Sequence, residues 1–399
     1  MNGVIHSARL VDAGRVVDDA WVRFADGRVV ATGTGDGWRA DAAASVAATS
    51  GSEASDAAEV VVDATAVAGP GAVLTPGFID IHGHGGGGFA YDDGPDAIRA
   101  ARALHRAHGT TRAVVSLVTA ALPDLERRAT MVADLVASDP DILGSHLEGP
   151  FLDLARKGAH TPELLRAPAT DAVERLLAAG GGSIRQITLA PELPGGLDAV
   201  RLVVAAGATA AVGHTSADYA QAAAAFDAGA TILTHAFNAM PGLHHRDPGP
   251  VAAAAADARV TLEVIADGVH LHPEVVRIAF AAAPGRIALI TDAMAAAGHP
   301  DGRYELGGLG VDVRDGVARL VEGGAIAGST LTQDAALRLT VAAGVALPDA
   351  VAALTSTPAR AVGRGDDLGS LAPGRWADAV LLSADLDVRA VWTAGSRDL

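Results

Sequence analysis

The chain has 399 residues, 50% of them hydrophobic and only 4% aromatic, enough for a large core of aliphatic side chains and alanine; a peptide hormone, a knottin and a disordered tail are excluded. Forty-seven acidic residues against 30 basic ones leave a net charge of −17, which repels nucleic acid and anionic membranes at long range, so neither is expected as a partner. The absence of cysteine removes disulfides, thiolate ligands and a thiol nucleophile together, and leaves any metal to histidine and carboxylate.

Residues 4–30 alternate apolar and polar positions in short runs broken by Asp-Ala-Gly and Ala-Asp-Gly turns, the pattern of a small antiparallel sheet. Residues 33–58 hold mostly Ala, Gly, Ser and Asp, which predicts a solvated, flexible insertion. From about residue 76 to residue 363, short β-rich runs alternate with Ala-rich helical ones. Strands are predicted at 78–81, 113–118, 142–146, 184–189, 210–214, 231–235, 261–265 and 287–291. Helices are predicted at 95–108, 125–137, 199–206, 217–228 and 273–282, several opened by Ser, Asp or Pro and closed by Gly. Eight such units predict an α/β fold, a (β/α)8 TIM barrel. An open doubly wound sheet is the weaker rival, because no Gly-x-Gly-x-x-Gly follows the first strand.

Residues 376–382 and 388–393 return to the strand pattern and are expected to complete the N-terminal sheet, since two short strands cannot stand alone. The organisation expected is a small discontinuous β-sandwich domain from residues 1–74 and 364–399, with a catalytic barrel at 75–363. The positive mean hydropathy of +0.28 does not call for a membrane: the uncharged stretches 202–217 and 228–245 are interrupted by Gly, His, Thr or Asn and fall short of a ~20-residue span. Arg9, Asp12 and Arg15 stand where a signal peptide needs an apolar run, so a bacterial-type cytoplasmic protein is expected.

A barrel of this kind gathers its chemistry at the C-terminal ends of its strands. His82 and His84 end the first predicted strand, two apart on an extended run, so both imidazoles face one side and can share a metal ion. Taken alone, such a pair reads as two satisfied polar residues. Glu148 past the third strand, His214 ending the fifth and His235 ending the sixth occupy equivalent positions and shift the reading to a metal site. Zn2+ is the first expectation, another first-row divalent ion the alternative. Asp292 ends the eighth strand; ligand, helix N-cap and base are all open to it, and its place at the rim favours a proton carrier. A metal lowers the pKa of its water to ~7 and a neighbouring carboxylate takes the proton and returns it to a leaving group, which hydrolyses an amide or ester without a covalent intermediate. His6, His105, His108 and His299 read as ordinary polar histidines. Residues 295–327, Gly-rich with a hairpin-like 311–320, read either as a closing flap or as a static excursion.

Pro76-Gly77-Phe78-Ile79-Asp80-Ile81-His82-Gly83-His84 and Leu371-Ala372-Pro373-Gly374-Arg375-Trp376-Ala377-Asp378 resemble the opening and closing motifs of the amidohydrolase superfamily. More particular are His146-Leu147-Glu148-Gly149-Pro150-Phe151, Gly213-His214-Thr215, Thr234-His235-Ala236-Phe237-Asn238-Ala239-Met240, Ile265-Ala266-Asp267-Gly268-Val269-His270 and Thr291-Asp292-Ala293. In this order they resemble the N-acetylglucosamine-6-phosphate deacetylase family. The resemblance spans residues 3–395, with the segment near 33–58 unmatched.

The resemblance implies a metal-dependent amide hydrolase of amino-sugar catabolism and cell-wall recycling that releases acetate and glucosamine 6-phosphate. It implies that Glu148, His214 and His235 bind the principal metal and that Asp292 is general base and acid. Members with Gln and Asn in place of the first-strand histidines keep one ion; His82 and His84 place this chain with those able to hold two. Zn2+, Fe2+, Co2+ or Mn2+ would serve, one or two per subunit. No lysine near the end of strand four offers a carbamate bridge, which leaves Glu148 as the bridge.

For the substrate the resemblance implies His160 at the acetyl carbonyl, and Asn238, the backbone amide of Ala239, Arg246 and His270 at the phosphate. Arg246 would reach the neighbouring active site of a homodimer. The alternatives are another amidohydrolase, acting on a different N-acyl sugar or a cyclic amide, and a barrel that has lost catalysis and serves as a binding protein.

Overall fold

The computed structural model describes residues 2–40 and 59–399, which separate into two compact units. The first comprises Met1–Ile79, Arg106–Thr111 and Ala346–Leu399; the second comprises Asp80–His105 and Arg112–Val345.

In the first unit Gly3–Asp12, Arg15–Ala25 and Arg28–Thr34 form an antiparallel meander. Its tight turns are Ala13-Gly14 and Asp26-Gly27, all four residues at φ between 48° and 76°. Such left-handed pairs match the strand twist, which is why Asp-Gly and Ala-Gly stand there. Gly3–Asp12 also pairs in parallel with Val73–Pro76, and that strand pairs antiparallel with Ala379–Leu382. Val388–Thr393 and Ser396–Arg397 follow outward, so the C-terminal strands do complete the N-terminal sheet. The sheet folds over one core in which Ile5, Val22 and Phe24 share space with Leu381, Ala390 and Trp392. Gly33 and Thr34, read from sequence as the start of the insertion, close the third strand opposite Trp21 and Ala20; residues 41–58 of that segment lie outside the described residues.

Eight strands in chain order make the nearly closed parallel barrel: Phe78–Asp80, Thr110–Val118, Ile142–Glu148, Ile184–Leu189, Thr209–Val212, Ile232–Leu233, Thr261–Val264 and Ile287–Leu289. Their residues are almost all buried, as strands covered on both faces must be. Several of the helices between them bury one stripe. Leu122–Ser138 buries Leu122, Leu125, Ala129, Val132 and Leu135 at three- and four-residue spacing, and Tyr219–Asp227 opens on a reciprocal capping box between Asp218 and Gln221. Among the described residues no helix is long and apolar enough to cross a membrane.

Closure depends on the last residue of the first strand and on residues just beyond the first and last strands. The Asp80 carboxylate accepts from Thr291 Oγ1 at 2.6 Å, Thr291 N at 3.3 Å and His82 N at 3.2 Å. The backbone then continues the seam, Asp292 N donating to His82 O at 2.9 Å and His84 N to Ala293 O at 2.7 Å. Burial raises the Asp80 pKa to about 6 against the lowering effect of these donors. The excursion after the eighth strand is a three-stranded antiparallel sheet, Gly302–Leu306, Leu309–Arg314 and Val317–Leu320. It has a core of its own, with Leu306, Val311, Val313, Ala318 and Leu320 packed on Val118 and Met294.

Thr291→Val removes the hydroxyl donor to a buried carboxylate at nearly constant volume. The expected loss is about 1–3 kcal/mol of unfolding free energy, read as a lower urea midpoint with an unchanged denaturant slope.

Candidate metal centre and active site

The fifth, sixth and eighth barrel strands end two, two and three residues before His214, His235 and Asp292, the residues expected to end them. His214, His235 and Asp292 have φ of 46°, 28° and 48°, a left-handed backbone that cannot continue a ladder. The turn swings each side chain out of the ladder into the barrel mouth, at a backbone cost of order 1–3 kcal/mol per residue. His82 likewise lies in a bend beyond Asp80, so the first-strand pair is not on extended backbone as its spacing suggested. Its imidazoles converge all the same. Gly158, at φ 52°, lies against the His214 ring, and a Cβ there would sit 3.1 Å from His214 Cε1.

Glu148 is the hub. His214 Nε2 and His235 Nε2 lie 3.1 and 3.2 Å from its Oε1 and 3.0 Å from each other. Tetrahedral ligands ~2.0–2.1 Å from a zinc ion are ~3.3 Å apart, so these three atoms have nearly the edge lengths of such a site. On the other side His84 Nε2 is 3.1 Å from Glu148 Oε2 and 3.3 Å from Asp292 Oδ1. His82 Nε2 is 3.4 Å from Glu148 Oε1 and 3.6 Å from Asp292 Oδ1, with no hydrogen-bond partner although fully buried.

The protons decide what fits there. His214 Nδ1 is 2.8 Å from the Arg156 carbonyl, an acceptor only, so Nδ1 keeps a proton and, once the ring is neutral, Nε2 is the nitrogen whose lone pair faces Glu148. His82 Nδ1 faces the Glu263 carboxylate at 3.0 Å with the same consequence. Lone pairs and carboxylate oxygens turned on one another in a buried space fit a divalent cation. Two groups of three donors, His82 with His84 and Glu148, and Glu148 with His160 and His214, each lie close enough to hold one.

The charges respond accordingly. Burial raises the Glu148 pKa, but His82 and the hydrogen bonds from His214 and His235 outweigh it and hold the carboxyl well below its usual range. Asp292, also buried, is brought down to about 2, chiefly by His82 and His84. Burial depresses His84, yet Asp292 and Glu148 lift it to about 9; His82 is raised well above the usual imidazole value by the same two carboxylates. His160 goes the other way, to about 3, through burial and then the charge of His214.

The site opens on a cavity of about 290 Å3 whose wall includes His84, Glu148, His160, His214, His235, Asn238, Ala239, His270 and Asp292. His160 stands with Nε2 3.6 Å from Glu148 Oε2 and its ring edge-on to His214. His270 Nδ1 bonds Asp267 at 2.7 Å; burial lowers its pKa, but Asp267 more than offsets this and raises it. Leu306 and Ile326 bring the three-stranded excursion to the same wall. Arg246 is not in it: the side chain is exposed, bonded to His245 Nε2 at 2.7 Å. Asp292 does not cap a helix, since none starts after it; its own N–H and C=O go to His82 and Ser329.

Sequence reasoning passed over a belt of polar residues beneath the donors. His146 bonds Ser116 Oγ at 2.9 Å and Thr188 Oγ1 at 2.8 Å, and burial with the charge of His82 keeps it neutral. Glu263 on the seventh strand and Gln186 on the fourth are fully buried. A glutamate in the aliphatic run Thr261–Val264 and the spacing of Gln186 and Thr188 two apart on one strand face were the available signals.

A parallel barrel whose strand ends bring four histidines and two carboxylates together at its mouth defines the class of metal-assisted hydrolases. The sequence model of the amidohydrolase family matches residues 73–397, and the chain belongs to that family. Over 329 residues it is 42% identical to the N-acetylgalactosamine-6-phosphate deacetylase of Escherichia coli O157:H7, covering 81% of this chain and 87% of the relative. It is 37% identical to the N-acetylglucosamine-6-phosphate deacetylase of Vibrio furnissii, covering 81% and 82%. The crystal structure of N-acetyl-D-glucosamine-6-phosphate deacetylase from Mycobacterium smegmatis superposes with a TM-score of 0.88 at 41% identity over 100% of both chains.

Glu148→Gln removes the charge that the imidazoles share. Affinity for a divalent ion is expected to fall by more than the ~10–100-fold typical of outer-shell partners, measured as metal retained after dialysis, with the circular dichroism spectrum unchanged.

Proposed function

We propose that this chain hydrolyses the acetamide of N-acetylglucosamine 6-phosphate to glucosamine 6-phosphate and acetate, in amino-sugar catabolism and cell-wall recycling. The observation that carries the reading is the placing of Asp292 Oδ1 3.3 Å from His84 and 3.6 Å from His82, at the cavity wall that also presents His160 and His270. His82, His84, Glu148 and His214, with His235 3.2 Å from Glu148 and 3.0 Å from His214, would hold one or two ions, with Zn2+ the first choice and Fe2+, Co2+ or Mn2+ the alternatives. Such an ion supplies Lewis acidity, polarising the acetyl carbonyl and lowering the pKa of water.

The chain's own residues do the rest. Asp292, held ionised, takes the proton from the attacking water and returns it to the amine nitrogen as the carbon–nitrogen bond breaks. His160, kept neutral by burial, donates an N–H to the carbonyl oxygen as negative charge develops on it. Asn238, the amide of Ala239 and His270, its pKa raised by Asp267, bind the phosphate. Arg246 completes that site from the neighbouring subunit, which makes the functional unit a homodimer, working in the cytoplasm. Its exposure and absence from the cavity of its own chain support this. A second reading keeps the chemistry and changes the sugar: the relative at 42% identity is named for the 4-epimer, N-acetylgalactosamine 6-phosphate.

Acetate release from both epimers, phosphorylated and unphosphorylated, with added Zn2+ separates the readings; no acetate from any of them overturns the assignment. Asp292→Asn is expected to lower kcat by about 10²–10⁴-fold, the usual contribution of a general acid–base; undiminished turnover removes it from the role. Arg246→Ala and Asp292→Asn chains, each inactive alone, are expected on mixing to recover activity in roughly a quarter of their sites after random subunit exchange in a symmetric dimer. Lack of recovery despite proven exchange places Arg246 outside the neighbouring site.

A further inference from the structure

Glu263 is a glutamate with no exposed surface, deep in the barrel on the seventh strand. Its two oxygens are fully engaged. Oε2 accepts from His82 Nδ1 at 3.0 Å and from the backbone N–H of His235 at 3.3 Å. Oε1 accepts from Gln186 Nε2 at 2.8 Å. To make that bond the Gln186 amide leaves its own Oε1 buried without a partner, a cost of about 1–3 kcal/mol. A buried amide that forgoes one hydrogen bond to orient a carboxylate marks that carboxylate's orientation as the thing being conserved in the packing.

From these contacts we infer that Glu263, steadied by Gln186, is the positioning residue of the metal site: it fixes His82 as the Nδ1–H tautomer and ties that ring to the strand-six ligand His235. The inference deepens the proposed reading of the site as a metal centre and rests on it. Its logic is one of lone pairs. A neutral imidazole, the form that ligates a metal, has its Nε2 free of a proton when Nδ1 donates to a carboxylate, and His82 Nε2 points at Glu148 and Asp292 with no donor facing it. Without Glu263 the Nδ1–H has lost its acceptor and the proton gains by moving to Nε2, where those carboxylates would accept it. The ring then blocks the position it should ligate. Because the same oxygen also receives the His235 N–H, one side chain sets the geometry of two rings that meet Glu148 Oε1.

The test is metal binding, with no substrate present. Wild-type protein is titrated with Co2+ and followed by visible absorption and by bound-metal stoichiometry, alongside Glu263→Gln, His82→Asn and the double variant. Glu263→Gln, nearly isosteric, is expected to weaken Co2+ binding ~10–100-fold, as outer-shell carboxylates do, and to alter the absorption band. In the His82→Asn background the same change should add less than about twofold. Nitrogen-15 shifts of the His82 ring, recorded at a pH alkaline enough for the ring to be neutral, should report Nδ1–H in the wild type and a tautomer mixture in Glu263→Gln, a change that loosened packing alone would not make. Equal losses in both backgrounds, an unchanged tautomer, or unchanged Co2+ affinity each overturn the inference. So does a wild-type protein that binds no Co2+, which removes the metal centre with it. Failure to release acetate from any sugar, with these metal results intact, overturns only the substrate reading.

Discussion

Five imidazoles and two carboxylates are buried together at the mouth of this barrel, and the arrangement is tolerable only if their donor atoms share a positive charge. Glu148 is the centre of that constraint, with His84, His214 and His235 nitrogens between 3.1 and 3.2 Å from its two oxygens. At an effective dielectric near 20, unit charges at ~4 Å are worth about 4 kcal/mol, against about 0–1 kcal/mol for an exposed pair. Protons on His82 and His84 answer part of the demand, which is why both rings are raised while the carboxyls fall. A divalent ion answers it more completely, because it can meet several lone pairs at once.

The backbone is bent to serve that centre. Left-handed residues at His214, His235 and Asp292 break the strands where the side chains must turn inward, and such strain persists only where the surroundings over-determine it. Here they do: Asp80 and Thr291 lock the seam between the first and last strands, and the bonds from Asp292 to His82 and Ser329 hold the rim. In the polar belt of His146, Thr188, Gln186 and Glu263 it is Glu263 that holds His82 Nδ1, while the Arg156 carbonyl, in the connection after the third strand, holds His214 Nδ1, so these two rings are aimed by fixed partners.

A net charge of −17 and a proposed anionic substrate are reconciled by scale. At ~0.15 M salt, fields beyond ~8 Å are screened, so global charge governs polymers and surfaces more than a small cleft. The cavity wall carries its own local field, from His270 raised by Asp267 and from the ions the histidines and Glu148 would hold.

Alternation of short aliphatic runs with amphipathic stretches was enough to locate all eight barrel strands, the returning C-terminal strands and the residues at the strand ends. These are local patterns: side-chain direction repeats every two residues on a strand, and a strand end is marked by the polar residue that follows an apolar run. Tertiary structure alone decided the rest. Nothing near Glu263 in the sequence tells that its carboxylate meets His82, 181 residues away, because that meeting depends on the curvature of the whole sheet. The same holds for the bend that presents His82, for the core that anchors residues 302–320, and for Arg246 lying outside the cavity of its own chain. The absence of cysteine pointed to histidine and carboxylate as ligands; only the folded barrel set which nitrogen of His82 and of His214 faces Glu148, since that is fixed by what the other nitrogen touches.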